Sequence, residues 1–366
     1  MRGRGAGAEG RSAGAGPGSA APQPGPAGAA AGAGLLLPLG GLVAATALAS
    51  VLHLWHGLWW LVLLVDFVLF VGVAEAFERR LPYAGRKTYQ KVLAWLFPLL
   101  ILGAWEALSR TGVLDPRWFP PPTRIAGALW DLTVSYDRFN QSSLLGRPWL
   151  IPTRLVHQGW PGVAALFAES HVFATLARVM VGFVLGSLPG ILVGIVMGLN
   201  RTVRSMLDAT MSAIYVLPKI AIFPILMLVF PDPFGEGPKI TVVAISAFFL
   251  VAISTMAGVQ GIEPVLLQAG RNFGANRWQM FRHVILPGAM PIIFSGLRLA
   301  LGTALIVIVA VEFVRAQRGV GYLIFYNWQV LSTAKMYAAL IVVMTLGVLL
   351  TTLLQWLERL AMPWRR

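Results

Sequence analysis

The sequence predicts an all-α fold, a polytopic transmembrane helical bundle, and three observations carry that prediction. Hydrophobic residues make up 57% of the chain against 12% charged, with a mean hydropathy of +0.72, the composition of a chain whose solvent is lipid. Apolar runs of membrane length recur along it, a span needing about 20 residues. The connections between those runs are basic, and basic loops stay on the cytoplasmic side. The net charge of +14 is dispersed over these connections. Topology and contact with anionic lipid account for it, so nucleic acid is not an implied partner. The absence of cysteine excludes disulfides, thiol chemistry and cysteine metal sites. The five histidines show no metal-ligand spacing.

Residues 1–34 are Gly, Ala and Pro with Arg2, Arg4 and Arg11. They cannot bury a core and read as a disordered tail. The apolar run behind them starts too late and continues too long for a cleaved signal. Residues 35–77 form one apolar block, too long for a single span, with His53, Trp55, His56, Trp59 and Trp60 at its centre. Trp favours the membrane interface, so the block reads as an extra N-terminal transmembrane hairpin turning there. A ligand pair of His53 and His56 is the weaker alternative, since Asp66 is the one carboxylate nearby. Asp66 is a polar residue in lipid that would face a helix neighbour. Arg79, Arg80, Arg86, Lys87 and Lys91 form the strongest positive cluster and mark the cytoplasmic side. Val92–Leu108 then crosses outward.

Residues 110–170 are the longest polar region. Phe119-Pro120-Pro121-Pro122-Thr123 reads as a helix start with Thr123 as N-cap, leading into an amphipathic helix over Ile125–Val134. The segment Asn140–Pro161 has no readable role. Residues 171–199 form a span with Gly182, Gly186, Gly190, Gly194 and Gly198 at four-residue spacing. Small residues at this repeat let helices approach closely; a glycine-lined path is the sharper alternative. Arg178 is either buried against a partner or snorkels to the outer surface.

The next span, Thr210–Phe230, is interrupted. Pro218 and Pro224 break the helical ladder inside the membrane, and broken helices commonly line a transport path. Lys219 between them is costly in lipid, so it faces a cavity, a carboxylate or the interface. After an external turn over Pro231–Pro238, Lys239–Val259 crosses inward. Ile292–Val314 crosses outward, and Met336–Leu357 is the last span. Glu312, in an apolar run, is a functional candidate. Its structural alternative is an ion pair with Arg315, Arg178 or Lys335.

Residues 263–291, EPVLLQAGRNFGANRWQMFRHVILPGAMP, connect two of these spans yet are not built like an ordinary loop. Val265, Leu266, Ala269, Phe273, Trp278 and Phe281 recur at roughly helical spacing. Gly274 breaks the first short helix. Trp278–His283 reads as a second short helix, and Pro287 and Pro291 set the start of the following span.

This stretch resembles the cytoplasmic signature loop of binding-protein-dependent ABC importer permeases. That pattern runs Glu-Ala-Ala, three residues, Gly, nine residues, Ile, one residue, Leu-Pro. The matching positions are Gln268, Ala269 and Gly270, then Gly274, Val284, Leu286 and Pro287. The spacing is kept in full. Gln268 stands where Glu is usual, which weakens any salt bridge from that position, and Gly270 where Ala is usual. The resemblance covers about residues 92–360 as a permease domain and implies six core spans of the type I ABC importer kind.

It further implies that the loop docks in a groove on an ATP-binding cassette subunit, with Gly274 as the turn between two docking helices. A homodimer and an extracytoplasmic solute-binding protein are the other implied partners. Leu217-Pro218-Lys219-Ile220-Ala221, and Glu312 with Gly319-Val320-Gly321-Tyr322-Leu323, resemble the nitrate, sulfonate and taurine branch. The implied function is the permease subunit of an ATP-driven importer of a small solute, with an anion such as nitrate, a sulfonate or taurine as candidate. Pro218, Lys219, Pro224 and Glu312 are the translocation-path candidates. The expected location is a bacterial plasma or inner membrane, multi-pass, with both termini cytoplasmic. No phosphate loop of the Gly-x-x-x-x-Gly-Lys-Ser/Thr type occurs, and no catalytic, metal or redox constellation is readable. The chain is therefore read as no enzyme and without cofactor. The alternative is a stand-alone secondary transporter or channel, with Asp66, Lys219 and Glu312 as its coupling-site candidates.

Overall fold

A computed structural model describes residues 40–41, 43–47, 57–138 and 140–365. The tail over 1–34, the turn of the 35–77 hairpin, and His53 and His56 lie outside the described residues. Among the described residues the fold is all-α, interrupted only by isolated bridges between Asp137 and Ser142 and between Ser143 and Ser170. The chain divides into two compact units, Met1–Ala104 and Trp105–Arg366.

In the first unit, α1 (Trp59–Glu78) lies antiparallel to the start of α2 (Tyr83–Arg110). Phe67 and Phe70 meet Phe97, and Phe77 meets Tyr89. Polar contacts close the end near the turn: Tyr89 donates to the Ala74 carbonyl at 3.1 Å and Gln90 to Glu78 at 2.8 Å.

The second unit begins with the end of α2 and continues through α3 (Pro122–Val134), α4 (Ile151–Ala168), α5 (His171–Leu199), α6 (Arg201–Val216), α7 (Lys219–Val229) and α8 (Glu236–Gln260). It goes on through α9 (Pro264–Asn272), α10 (Arg277–Met280), α11 (Leu286–Arg315), α12 (Val320–Gln329) and α13 (Thr333–Ala361). Among the described residues, six helical stretches are long and apolar enough to cross a membrane. The pair α6 and α7, bent by 97°, makes a seventh if taken as one broken span.

Lipid tails are as apolar as leucine, so membrane helices need close packing rather than hydrophobic burial to associate. The glycine stripe of α5 supplies it. A Cβ on Gly186 would lie 2.1 Å from the Ala244 carbonyl oxygen, one on Gly190 2.8 Å from that of Phe248, and one on Gly194 2.5 Å from that of Ala252. The order of these contacts shows that α5 and α8 run parallel. The start of α11 packs back along the end of α8, with Gly296 against Ser254. Val179, Val242, Ala247, Ala304 and Ile308 fill the resulting core. A second core joins α3, α12 and α13 through Ile125, Val320, Ile324, Ala338 and Leu346.

Three local expectations are corrected. Thr123 is not the N-cap of α3; Pro121 takes that place without a side-chain cap. Glu106 does the capping instead, accepting the Thr123 N–H at 3.0 Å and its hydroxyl at 2.8 Å. A carboxylate placed there satisfies orphan donors and suits the helix dipole. Second, only one proline breaks the 210–230 span. Leu217 and Pro218 form the corner, while Pro224 lies inside α7. Pro218 falls where a helix start needs no N–H donor, whereas Pro224 costs a short helix a single backbone bond. Third, Trp278–His283 is not a separate helix. α10 passes through a π-helical turn, Phe281–Ile285, directly into α11, and Pro287 is accommodated because that π turn, just before it, already interrupts the regular α-helical bonding.

Candidate functional site

Two features stand at opposite ends of the second unit. Residues 263–291 follow the C-terminal end of α8. The polar cluster described below gathers at the N-terminal ends of α5 and α8, which run parallel, and at the far end of α11.

The loop is built as a rigid corner. α9 starts with Pro264 as its first residue and ends at Asn272. The Ala275 N–H donates to the Gly270 carbonyl at 3.1 Å and the Gly274 N–H to that of Arg271 at 2.9 Å. This is a Schellman closure, whose C′ residue takes left-handed φ; Gly274 has φ +75°. The next helix starts two residues later with a capping box, in which Asn276 and Gln279 exchange side-chain and backbone bonds of 2.8 and 2.9 Å. Gly270 is where the two arms touch: a Cβ there would lie 2.8 Å from Met280 Cε. Phe273 is 91% exposed and Trp278 64%. Gln268 is exposed, Ala269 half-buried, and Leu286 and Pro287 half-buried in the first turn of α11.

At the other end, Glu312 is fully buried. Arg178 Nη1 donates to its Oε1 at 2.7 Å, the Thr175 hydroxyl reaches its two oxygens at 2.9 and 3.0 Å, and the Gly321 N–H donates at 2.8 Å. A Cβ on Gly319, at φ +130°, would stand 2.4 Å from the Glu312 carboxyl carbon, so only glycine fits. Arg178 also donates from Nε and Nη2 to Glu236 at 2.5 and 2.8 Å, and from Nη1 to the Arg318 carbonyl at 2.6 Å. Lys239 donates to Glu236 at 3.2 Å. His171 accepts the Gly319 N–H at its Nδ1, 3.0 Å, and its Nε2 lies 3.1 Å from the Ser142 hydroxyl. Because Nδ1 accepts, Nε2 carries the ring proton and donates to Ser142. The segment between α11 and α12 is thus pinned from below by one buried carboxylate and from the side by one imidazole.

Of the predicted path residues, Lys219 sits at the start of α7, donates to the Tyr215 carbonyl and lies 4.5 Å from the Tyr215 ring centroid. Glu312 pairs with Arg178, 134 positions earlier and one of the three partners its structural alternative offered. Thr175, Glu236, Lys239 and His171 were not identified as site residues from sequence. The available signal was a charged residue near the same end of three apolar runs, namely Arg178, Lys239 and Glu312.

Among the described residues, a helical bundle with six stretches long and apolar enough to span, one bent helix pair and a capped two-helix loop has the build of a multi-pass membrane protein. Residues 190–362 match the family described as binding-protein-dependent transport system inner membrane component. The taurine transport system permease protein TauC of Escherichia coli (strain K12) is 30% identical over 76% of this chain and 96% of its own length. SsuC of Bacillus subtilis (strain 168), a permease protein named for aliphatic sulfonates transport, is 29% identical over 80% of this chain and 93% of its own. The nitrate import permease protein NrtB of Synechocystis sp. (strain ATCC 27184 / PCC 6803 / Kazusa) is 28% identical over 69% and 92%. The chain belongs to the binding-protein-dependent transport system inner membrane components, the permeases of ABC importers. The stand-alone secondary transporter or channel is set aside on that ground.

Proposed function

We propose that this chain, as a homodimer, forms the translocation path of an ATP-driven importer for a small anionic solute. Residues 92–360 are the permease domain in this reading, and 35–77 an added hairpin. Loop 263–291 docks on a separate ATP-binding cassette subunit, and a solute-binding protein delivers solute at the opposite end. Both chain termini are then cytoplasmic.

The observation that carries the docking reading is Phe273, 91% exposed beside the Gly274 turn. Val265, Leu266 and Trp278 of the same loop are exposed as well, and exposed apolar surface rimmed by polar residues marks an interaction site. Gln268, Ala269, Gly270, Leu286 and Pro287 frame that corner. The names of the similar permeases, taurine, aliphatic sulfonates and nitrate, support a solute that carries an oxyanion group. Lys219, at the bend made by Pro218 and ahead of Pro224, provides a cation where a broken span would line a path. Glu312 supports the path by pinning its outer end.

Co-purification of the tagged chain from membranes expressing the neighbouring genes tests this reading. An ATPase that accompanies the chain, and is lost on Gly274→Trp while membrane insertion persists, is the expected result. An ATPase-free oligomer would overturn it.

A further inference from the structure

A cavity of about 690 Å³ opens at the end away from loop 263–291, and Arg178, Asp232, Phe234, Glu236, Lys239 and Arg318 line it with others. Two cations in its wall are buried: the side chains of Arg178 and Lys239 are 6% and 5% exposed. Buried cations are tolerated only when paired. Their two carboxylate partners are very different. Glu312 is sealed in the protein, tied to Thr175 and Gly321 as well as to one end of the guanidinium. Glu236 is 54% exposed and accepts from Arg178 and Lys239.

The guanidinium is divided accordingly. Nη1 faces the protein and is filled by Glu312 and the Arg318 carbonyl. The Nε and Nη2 edge holds Glu236 in a two-bond fork. Lys239 adds one donor from beside it, with Glu236 as its hydrogen-bond partner. Such a fork matches the planar pair of oxygens of a carboxylate, sulfonate or nitrate. The charge count agrees: two cations against the buried Glu312 leave one positive charge, which Glu236 or one incoming anion can neutralise. The two other charged residues of the lining, Asp232 and Arg318, are of opposite sign and leave that sum unchanged. Asp232 accepts the Phe234 N–H at 3.2 Å, and Arg318 donates to the Ala168 carbonyl.

We propose that the Nε–Nη2 edge of Arg178 with Lys239 Nζ is an oxyanion-binding site, occupied here by Glu236, which a solute carrying a sulfonate, carboxylate or nitrate group displaces. The inference rests on the anion-import reading above and adds to it the residues that recognise the anion and an internal competitor. Glu236 then sets how weakly the site holds its anion, and hence how readily the anion passes on.

Calorimetric titration of the purified full-length chain in nanodiscs with ethanesulfonate and with nitrate, at constant ionic strength, tests the site. Removing the competitor in Glu236→Gln should tighten binding of both anions by about tenfold, the worth of a charge-assisted contact. Adding Lys239→Gln to that variant should abolish the gain. A purely structural ion pair predicts the reverse, a less stable chain with no gain in anion binding, and that result overturns the proposal. Failure of Glu236→Gln to reach the membrane also overturns it, because Glu236 would then be scaffold rather than competitor. Uptake by cells separates the two readings. Anion binding that tightens in the variant, without anion import by the wild type, keeps the site and removes the import reading. Import with unchanged binding in the variant does the opposite.

Discussion

Arg178 Nη1 and Glu312 Oε1 lie 2.7 Å apart, although the residues are separated by 134 positions in the chain, and the glutamate is fully buried. The pair joins the start of α5 to the end of α11, the segment on which α12 hangs. Breaking a buried pair by removing one partner typically costs about 3–5 kcal/mol, because the other charge stays buried alone. Arg178→Met and Glu312→Gln should each lower the thermal midpoint of the detergent-purified chain strongly. The double variant should lose less than the sum of the two, since the residues share one interaction. Additive losses would show that the two side chains are not coupled.

Gly319→Ala should behave like loss of the pair. Its Cβ would enter the Glu312 carboxylate at 2.4 Å, at φ +130°. Gly302→Ala has nothing within 4 Å and provides the control; in a helix it should be neutral or gain a few tenths of a kcal/mol, up to about 1. Melting curves of the two variants side by side decide the matter.

The stripe of α5 makes a second steric prediction. Gly186→Val should prevent α5 and α8 from closing, since even a Cβ meets the Ala244 carbonyl oxygen at 2.1 Å. Fluorescence-detected size exclusion of a tagged chain should show aggregation for this variant. Gly103→Val, in open space, should elute as the wild type does.

Phe273→Asp should leave the chain stable, because the ring is 91% exposed and buries almost nothing on folding. It should abolish capture of the ATPase subunit. Gly274→Ala should be milder: open space surrounds it, and the cost is backbone strain at φ +75°, about 1–2 kcal/mol.

What was legible in the sequence was local. The apolar runs, the stripe Gly182–Gly198 and the two-part loop around Gly274 each write their signal within some 30 residues, and each emerges as helix, packed face or turn. The partners that decide the polar cluster are far apart: Thr175 and Glu312 are separated by 137 residues, Arg178 and Glu236 by 58. No periodicity reports such a meeting, so Arg178 stood as one of three possible partners of Glu312, beside Arg315 and Lys335, and Lys239 only as the start of a span. The misread boundaries share a cause. At Thr123 a carboxylate from another helix replaced the local cap, and after Met280 a π turn joined the second short helix to the span that Pro287 and Pro291 were read as starting.

The most direct measurement is ATP-driven uptake of labelled taurine into proteoliposomes holding this chain with its ATPase and binding protein, for wild type and Phe273→Asp. Coupling through loop 263–291 predicts uptake by the wild type and none by the variant, with the variant chain still correctly inserted. Uptake by Phe273→Asp at the wild-type rate would contradict it.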